Sequence, residues 1–261
     1  MIRNVYIRRL CFFLILIFAV DAVASGQLLK VLTYNVRNCN GMDKKKDYER
    51  IADIIRKESP DVVALQELDS VTRRNGGVFT LKVLEKKTKM YGIYASAIPL
   101  QGGSYGIGIL SVRKPLNYKV LPMPGSEEKR VMIIAEFPDY IFCSTHQLLT
   151  PADQVLAAEL IIEAVKDYDK PVIMAGDMNA VPSAPSQQRL VHHFTVLSDT
   201  MSCTYPADNP TECIDYVYGY LANGSNFEVK QQRVLDEPIA SDHRPVYVNV
   251  KIIKNTNTDS N

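Results

Sequence analysis

Short runs of β-branched and aliphatic residues recur along this chain, and each ends abruptly in polar side chains. Leu28–Val36 (LLKVLTYNV) is the first, closing on Asn35-Val36-Arg37-Asn38. Asp47–Glu58 then sets Tyr48, Ile51, Ile54 and Ile55 at helical spacing, and Pro60 stops the helix. Asp61–Leu65 (DVVAL) reads as a buried strand delivering Gln66 and Glu67, which predicts a β-α-β unit. Residues 78–90 predict a second helix and 91–98 a strand. Gln101–Gly106 (QGGSYG) reads as a flexible loop leading into a strand at Ile107–Val112. A strand pair is expected around 116–123 and 130–137. Ile141–Thr145 delivers His146, and Pro151–Tyr168 has helical periodicity with proline in its first turn. Pro171–Ala175 delivers Gly176-Asp177-Met178-Asn179, and Ile214–Tyr218 carries a lone acid, Asp215, within an apolar stretch. Ser241-Asp242-His243-Arg244-Pro245 leads into an alternating strand at 246–253, with Pro245 keeping His243 out of helix. No repeat or long linker interrupts this order. Strands mixed with helices predict an α/β fold of two sheets packed face to face, with helices outside.

The first residues belong to a different pattern. Arg3, Arg8 and Arg9 precede an apolar run, Leu10–Val20, that is too short to span a bilayer, and Ala22-Val23-Ala24 offers a small-residue cleavage site. Residues 1–24 are therefore expected to be a signal peptide, 25–254 one domain and 255–261 a polar tail. An exported protein, periplasmic or secreted, follows from that leader. The chain carries 30 basic and 29 acidic residues. Losing the leader removes three Arg and one Asp, which leaves the remainder close to neutral. No global field draws such a chain onto nucleic acid. Of five cysteines, Cys203 and Cys213 are spaced to close a short loop in an oxidising compartment, while Cys143 reads as a small buried hydrophobe. No spacing resembles a thiolate zinc site.

The polar strand ends carry the chemistry. Asn35, Glu67, His146, Asp177 with Asn179, and Asp242 with His243 all follow apolar runs, and strand ends on one edge of a sandwich converge on one cleft. Carboxylates and amides gathered there favour a shared cation. Glu67, Asn35 and Asp242 offer oxygen donors, which suit Mg2+ or Mn2+ better than zinc. His146 and His243 are left for phosphate contact and proton transfer, with Asp215 the candidate that orients His243. This inventory suits hydrolysis of a phosphoester.

In order, Thr33–Val36 (TYNV), Leu65–Glu67 (LQE), Ser144–His146 (STH), Gly176–Ala180 (GDMNA), Ile214–Tyr216 (IDY) and Ser241–Val246 (SDHRPV) resemble the motifs of the endonuclease/exonuclease/phosphatase superfamily. The resemblance spans nearly the whole chain after the leader. It implies a four-layer α/β sandwich, with two mixed β-sheets face to face between helical layers. It further implies Glu67 as principal metal ligand with Asn35 and Asp242 near the ion, His243 acting on water and held by Asp215, Asp177 serving nucleophile or leaving group, Asn179 holding a phosphate oxygen, and His146 touching the scissile phosphate. Thr72–Gly77 (TRRNGG) and Gln101–Gly106 are similar to a bacterial exported subgroup related to the domain that remodels glycosylphosphatidylinositol lipids. On that likeness Arg73, Arg74 and Tyr105 are candidates for binding a second phosphate or an anionic head group. The expectation is an exported, divalent-metal-dependent phosphodiesterase, monomeric, acting on a small or lipid-linked phosphoester, with peripheral membrane contact. A secreted DNase-like nuclease is the alternative, disfavoured by the absence of tryptophan and, once the leader is lost, of net positive charge. A phosphatase acting on inositol or sugar phosphates, and a binding module without catalysis, are the remaining readings.

Overall fold

The computed structural model describes residues 26–126, 128–220 and 226–253. The expected signal peptide and polar tail lie outside them. The elements are β1 (Gln27–Asn35), α1 (Tyr48–Glu58), β2 (Val62–Ser70), α2 (Thr80–Thr88), β3 (Tyr91–Leu100), β4 (Gly103–Ser111), β5 (Asn117–Pro122), β6 (Val131–Glu136), β7 (Ile141–His146), α3 (Pro151–Val165), β8 (Val172–Asp177), α4 (Pro185–Val191), β9 (Phe194–Val196), β10 (Asp215–Tyr220), β11 (Asn226–Val234) and β12 (Val246–Ile253).

Two six-stranded mixed sheets form, in the orders β11-β12-β1-β2-β4-β3 and β5-β6-β7-β8-β10-β9. Each contains one parallel pair, β1 with β2 and β7 with β8, and the remaining pairs are antiparallel. Val31, Ala64, Ile109, Ile133, Phe142 and Ile173 meet between the sheets in a core fed by both. Ile51, Ile55, Leu81 and Leu84 close α1 and α2 over the outer face of the first sheet. Ala157, Ala158, Ile161 and Leu190 do the same for α3 and α4 over the second. The four-layer sandwich expected of the sequence is the fold observed.

Local chemistry explains the boundaries. The Asp47 side chain accepts from Arg50 N–H at 3.0 Å and so caps α1, and Ser59 ends that helix in the left-handed region, just before Pro60. Where a flexible loop was expected at 101–106, Gly102 takes φ 87° in a tight turn and Gly103 already pairs with Leu100. Cys203 and Cys213, whose spacing leaves a disulfide open, are free thiols, and Cys143 packs in the apolar layer under α3.

One glycine holds a register on which the functional groups depend. A Cβ on Gly176 would stand 2.1 Å from Thr145 O, so only glycine lets β7 and β8 pair as closely as they do. Replacing Gly176 with Ala is expected to destabilise the protein by about 1–3 kcal/mol, the range for overpacking, measured by urea unfolding. A loss below about 0.5 kcal/mol would show that the strand pair absorbs the methyl group without shifting.

Candidate active site

Three neighbouring strands of the second sheet set the first row of groups. His146 on β7 is paired with Asp177 on β8, and Asp177 with Asp215 on β10. Residues directly opposite each other share a face, so an imidazole and two carboxylates stand in line. All three are buried.

The first sheet supplies the facing groups from less regular backbone. The β2–β4 register shifts between Leu65 and Leu68, and Glu67 sits there at φ 61°. Such a bulge re-aims a side chain, and Glu67 lines the cleft instead of continuing the pleat. Asn179 is likewise left-handed, at φ 48°. Strain of this kind persists only where surrounding contacts fix it. For Asn179 those contacts are its N–H on Asp177 Oδ1 at 2.9 Å and its amide on Gln147 O at 2.9 Å. The loop before β12 is tied to β1 by Ser241 Oγ donating to Asn35 O at 2.7 Å. Arg244 N–H on Thr204 O and Ala207 N–H on Asp242 O hold its other side.

His243 thus enters between the sheets. Its Nδ1 lies 2.9 Å from Asp215 Oδ2, and its Nε2 lies 3.7 Å from Asp177 Oδ2. Burial by itself lowers the pKa of His243, but the carboxylates of Asp215 and Asp177 outweigh it and raise it. Burial, reinforced by Asp215, raises Asp177 as well. Both shifts leave a proton within the Asp215–His243–Asp177 chain. His146 goes the other way: burial, then the charge of Arg130, lowers its pKa and keeps the ring neutral, with Nδ1 3.3 Å from Arg130 Nη1 and Nε2 3.5 Å from Asp177 Oδ2.

Glu67, Arg130, His146, Asp177, Asn179, Asp242 and His243 share one cleft of about 410 Å3 with Tyr205 and Glu212 on its rim. The cleft therefore gathers Glu67, His146, Asp177, Asn179, Asp242 and His243 from the sequence expectation, and Asp215 stands directly behind His243.

A hard cation fits part of the expected donor set. Burial raises the pKa of Glu67, and the like charge of Asp242 adds to that. Two carboxylates facing one cleft in this way are relieved by an oxygen-seeking dication. Asn35 is oriented differently from the expectation. Its Oδ1 accepts the Arg37 N–H at 3.1 Å, and its NH2 group donates to Glu67 Oε1 at 3.1 Å and Asp177 Oδ2 at 3.0 Å. Asn35 therefore clamps the two acids together, with its oxygen engaged by the Arg37 N–H. Asp177, Asp215 and His243 also bring ligand-type atoms within 4.8 Å of one another, but His243 Nδ1 is already bonded to Asp215.

Of the three candidates for anion recognition, Arg74 and Tyr105 come together and Arg73 does not join them. Arg74 donates through Nε and Nη2 to the two oxygens of the buried Asp69, and its guanidinium lies 5.5 Å over the Tyr105 ring. Tyr105 is buried, which with the charge of Glu67 raises its phenol pKa. Both arginines are exposed, and Arg73 bonds Gln101 O through its backbone N–H. Arg130 escaped the sequence reading. It is 9% exposed, contacts Glu128 at 2.8 Å, and has an Nε without a partner among the described residues. A cation at the start of an apolar strand, Val131–Glu136, was the available signal, hidden because Glu128-Lys129-Arg130 reads as a solvated run.

The model of the Endonuclease/Exonuclease/phosphatase family matches residues 32–243. None of the curated protein sequences compared matches this chain. Among solved structures, an endonuclease/exonuclease/phosphatase family protein from Bacteroides thetaiotaomicron superposes with a TM-score of 0.72 at 18% identity, over 88% of this chain and 100% of its own. An endonuclease/exonuclease/phosphatase from Beutenbergia cavernae gives 0.69 at 22% identity, over 87% and 72%. A mannosyl-6-phosphatase from Bacteroides thetaiotaomicron gives 0.68 at 18% identity, over 85% and 99%. At these identities the likeness establishes the fold.

Proposed function

Because this chain belongs to the endonuclease/exonuclease/phosphatase family, whose members hydrolyse phosphoesters, we propose that it is a divalent-metal-dependent phosphoesterase, most readily a phosphodiesterase acting on a small or lipid-linked phosphoester. The observation that carries this reading is the buried Asp215–His243–Asp177 chain opening onto a cleft shared with Glu67 and Asp242.

In this reading Asp215 fixes the His243 ring through Nδ1, so that Nε2 faces the cleft beside Asp177. Water attacks phosphorus while the His243–Asp177 pair takes up its proton, each group stabilising the charge that develops on the other. The bond from phosphorus to the leaving oxygen breaks, that oxygen takes a proton from solvent, and the proton held by the His243–Asp177 pair returns to solvent as product leaves. His146, kept neutral, and the partly unpartnered guanidinium of Arg130 bind non-bridging oxygens together with Asn179. Such donors act strongly in a buried site because they are fixed before charge appears. Glu67 and Asp242 would hold the cation, Mg2+ or Mn2+, with Asn35 bracing Glu67. When bound, that cation supplies neutralisation of charge on the phosphoryl oxygens.

A nuclease with the same centre is the second reading. Among the described residues lining the cleft, Tyr205 is the one tyrosine and no phenylalanine joins it; its ring packs 4.8 Å from His243, and serial base stacking requires more. The mannosyl-6-phosphatase likeness in fold keeps a sugar-phosphate monoesterase in view as a third. The leader pattern of residues 1–24 supports an exported enzyme, periplasmic or secreted, and no interaction other than its substrate is required by the site. N-terminal sequencing of the mature protein should begin near Ser25; recovery of Met1 from the exported fraction would contradict cleavage.

The purified protein is expected to hydrolyse bis-(p-nitrophenyl) phosphate with Mg2+ or Mn2+ and to stop in EDTA. His243→Ala should lower kcat by at least about a hundredfold, as loss of a general acid–base group does, with circular dichroism unchanged. Turnover indifferent to EDTA, or near wild type in the variant, would contradict the assignment.

A further inference from the structure

The two sheets do not end flush. β3 is the last strand of the first sheet and β5 that of the second, and β3 packs over β6, one strand in from β5. β5 therefore overhangs, and the face it turns toward the first sheet is left uncovered.

Register identifies that face. Tyr118 stands opposite Ala135 and Val120 opposite Ile133, and both partners belong to the core between the sheets. Directly opposed residues share a face, so Tyr118 and Val120 are core-facing side chains. Yet they are 51% and 41% exposed, and Leu116, two positions earlier, is 64% exposed. Lys119 stands opposite Ile134 and so takes the outer face, where it lies 5.3 Å over the Tyr168 ring. Tyr91, half exposed at the start of β3, extends the apolar strip onto the first sheet. A groove of about 390 Å3 follows it, with Glu85, Tyr91, Lys114, Leu116 and Tyr118 in its lining.

The backbone edge is open as well. Met123 N–H on Arg130 O sets the phase of the β5–β6 ladder, and the alternation of antiparallel bonds then turns the N–H and C=O groups of Tyr118 and Val120 outward. Consistent with that, the Tyr118 N–H is held by the neighbouring Asn117 Oδ1 at 2.8 Å. Lysines commonly guard such edges against pairing, but the lysine of β5 is drawn off to Tyr168.

The pattern of the strand selects what covers it. Two copies of β5 set antiparallel about a two-fold axis at Tyr118 place Tyr118 against Tyr118, Leu116 against Val120 and Lys119 against Asn117. Apolar side chains then meet apolar ones, and the core-facing sides of both copies stay together. An axis at Lys119 would oppose two lysines, which is destabilising, and a slip of one residue would turn one copy's apolar set to the wrong face. Pro115 and Pro122 lack the N–H of a longer ladder, which confines pairing to the segment between them. The groove carries both signs, Lys114 and the Lys82-paired Glu85, so two copies do not confront each other with like charge alone.

We propose that a second copy of this chain covers the strip, by β5–β5 pairing about a two-fold axis at Tyr118 that joins the two second sheets into one continuous sheet. The dimer is independent of the reaction assigned to the cleft, and it departs from the monomer expected of the sequence.

Sedimentation velocity of the purified protein, from micromolar to millimolar concentration, should show a reversible monomer–dimer equilibrium without larger species, because a two-fold contact closes on itself. Tyr118→Glu should weaken the dimer at least about thirtyfold, the effect of losing a central aromatic anchor, with circular dichroism unchanged. Tyr118→Cys should give a disulfide-linked dimer in oxidised glutathione, since that residue meets its own copy. Val120→Cys should not, because its copies stand four residues apart along the strand, about 13 Å, beyond the reach of a disulfide. A monomer at every concentration would overturn the proposal and leave the strip to a strand of another protein. Open-ended oligomers, a dimer indifferent to Tyr118→Glu, or Val120→Cys linking as readily as Tyr118→Cys would overturn the two-fold axis at Tyr118.

Discussion

A histidine held between two buried aspartates is the interaction on which this structure turns. Asp177 and Asp215 are each 1% exposed, and two carboxylates in so dry a place repel strongly unless a proton or a cation lies between them. His243 supplies that relief from a loop of the opposite half of the sandwich. The sheets therefore cannot drift apart at this edge without exposing uncompensated charge to a low-dielectric interior. Packing of the inter-sheet core and chemistry of the cleft are the same constraint seen at two depths.

That constraint accounts for the irregular backbone around it. The bulge at Glu67, the left-handed Asn179 and the left-handed turn Arg37–Cys39 all border the cleft or an adjoining hollow that Glu67 shares with Arg37 and Arg74. A regular strand would have sent the Glu67 side chain elsewhere. Gly176 contributes in the opposite manner, since its missing side chain keeps His146 and Asp177 in register.

Much of this was legible in the sequence because buried strands announce themselves. VVAL, IFCST and PVIMA are apolar runs that each end in functional groups, and the helix at Tyr48–Glu58 showed its stripe and its stops. The less legible parts fail for physical reasons. β11 (NFEVKQQRV) is an edge strand in which Phe227 is buried and the rest is largely in solvent on both faces, so no alternation marks it. The hairpin turn at Gln101-Gly102 resembled a loop because glycines serve both. Nothing local distinguishes Arg74 from Arg73; only Asp69, folded back from β2, selects between them. The amide orientation of Asn35 depends on the Arg37 N–H and on two distant carboxylates, so no motif can specify it. Arg130 is buried only after β6 and β7 bring it against His146.

In the proposed reading Glu67 and Asp242 would seat the cation, with the histidine–aspartate chain reserved for the proton. Anomalous scattering from crystals grown with Mn2+ tests that division most directly. The predicted result is a single strong peak within bonding distance of Glu67 and on the Asp242 side of the cleft, with His243 still bonded to Asp215. A peak among Asp177, Asp215 and His243, with Glu67 left bare, would contradict it.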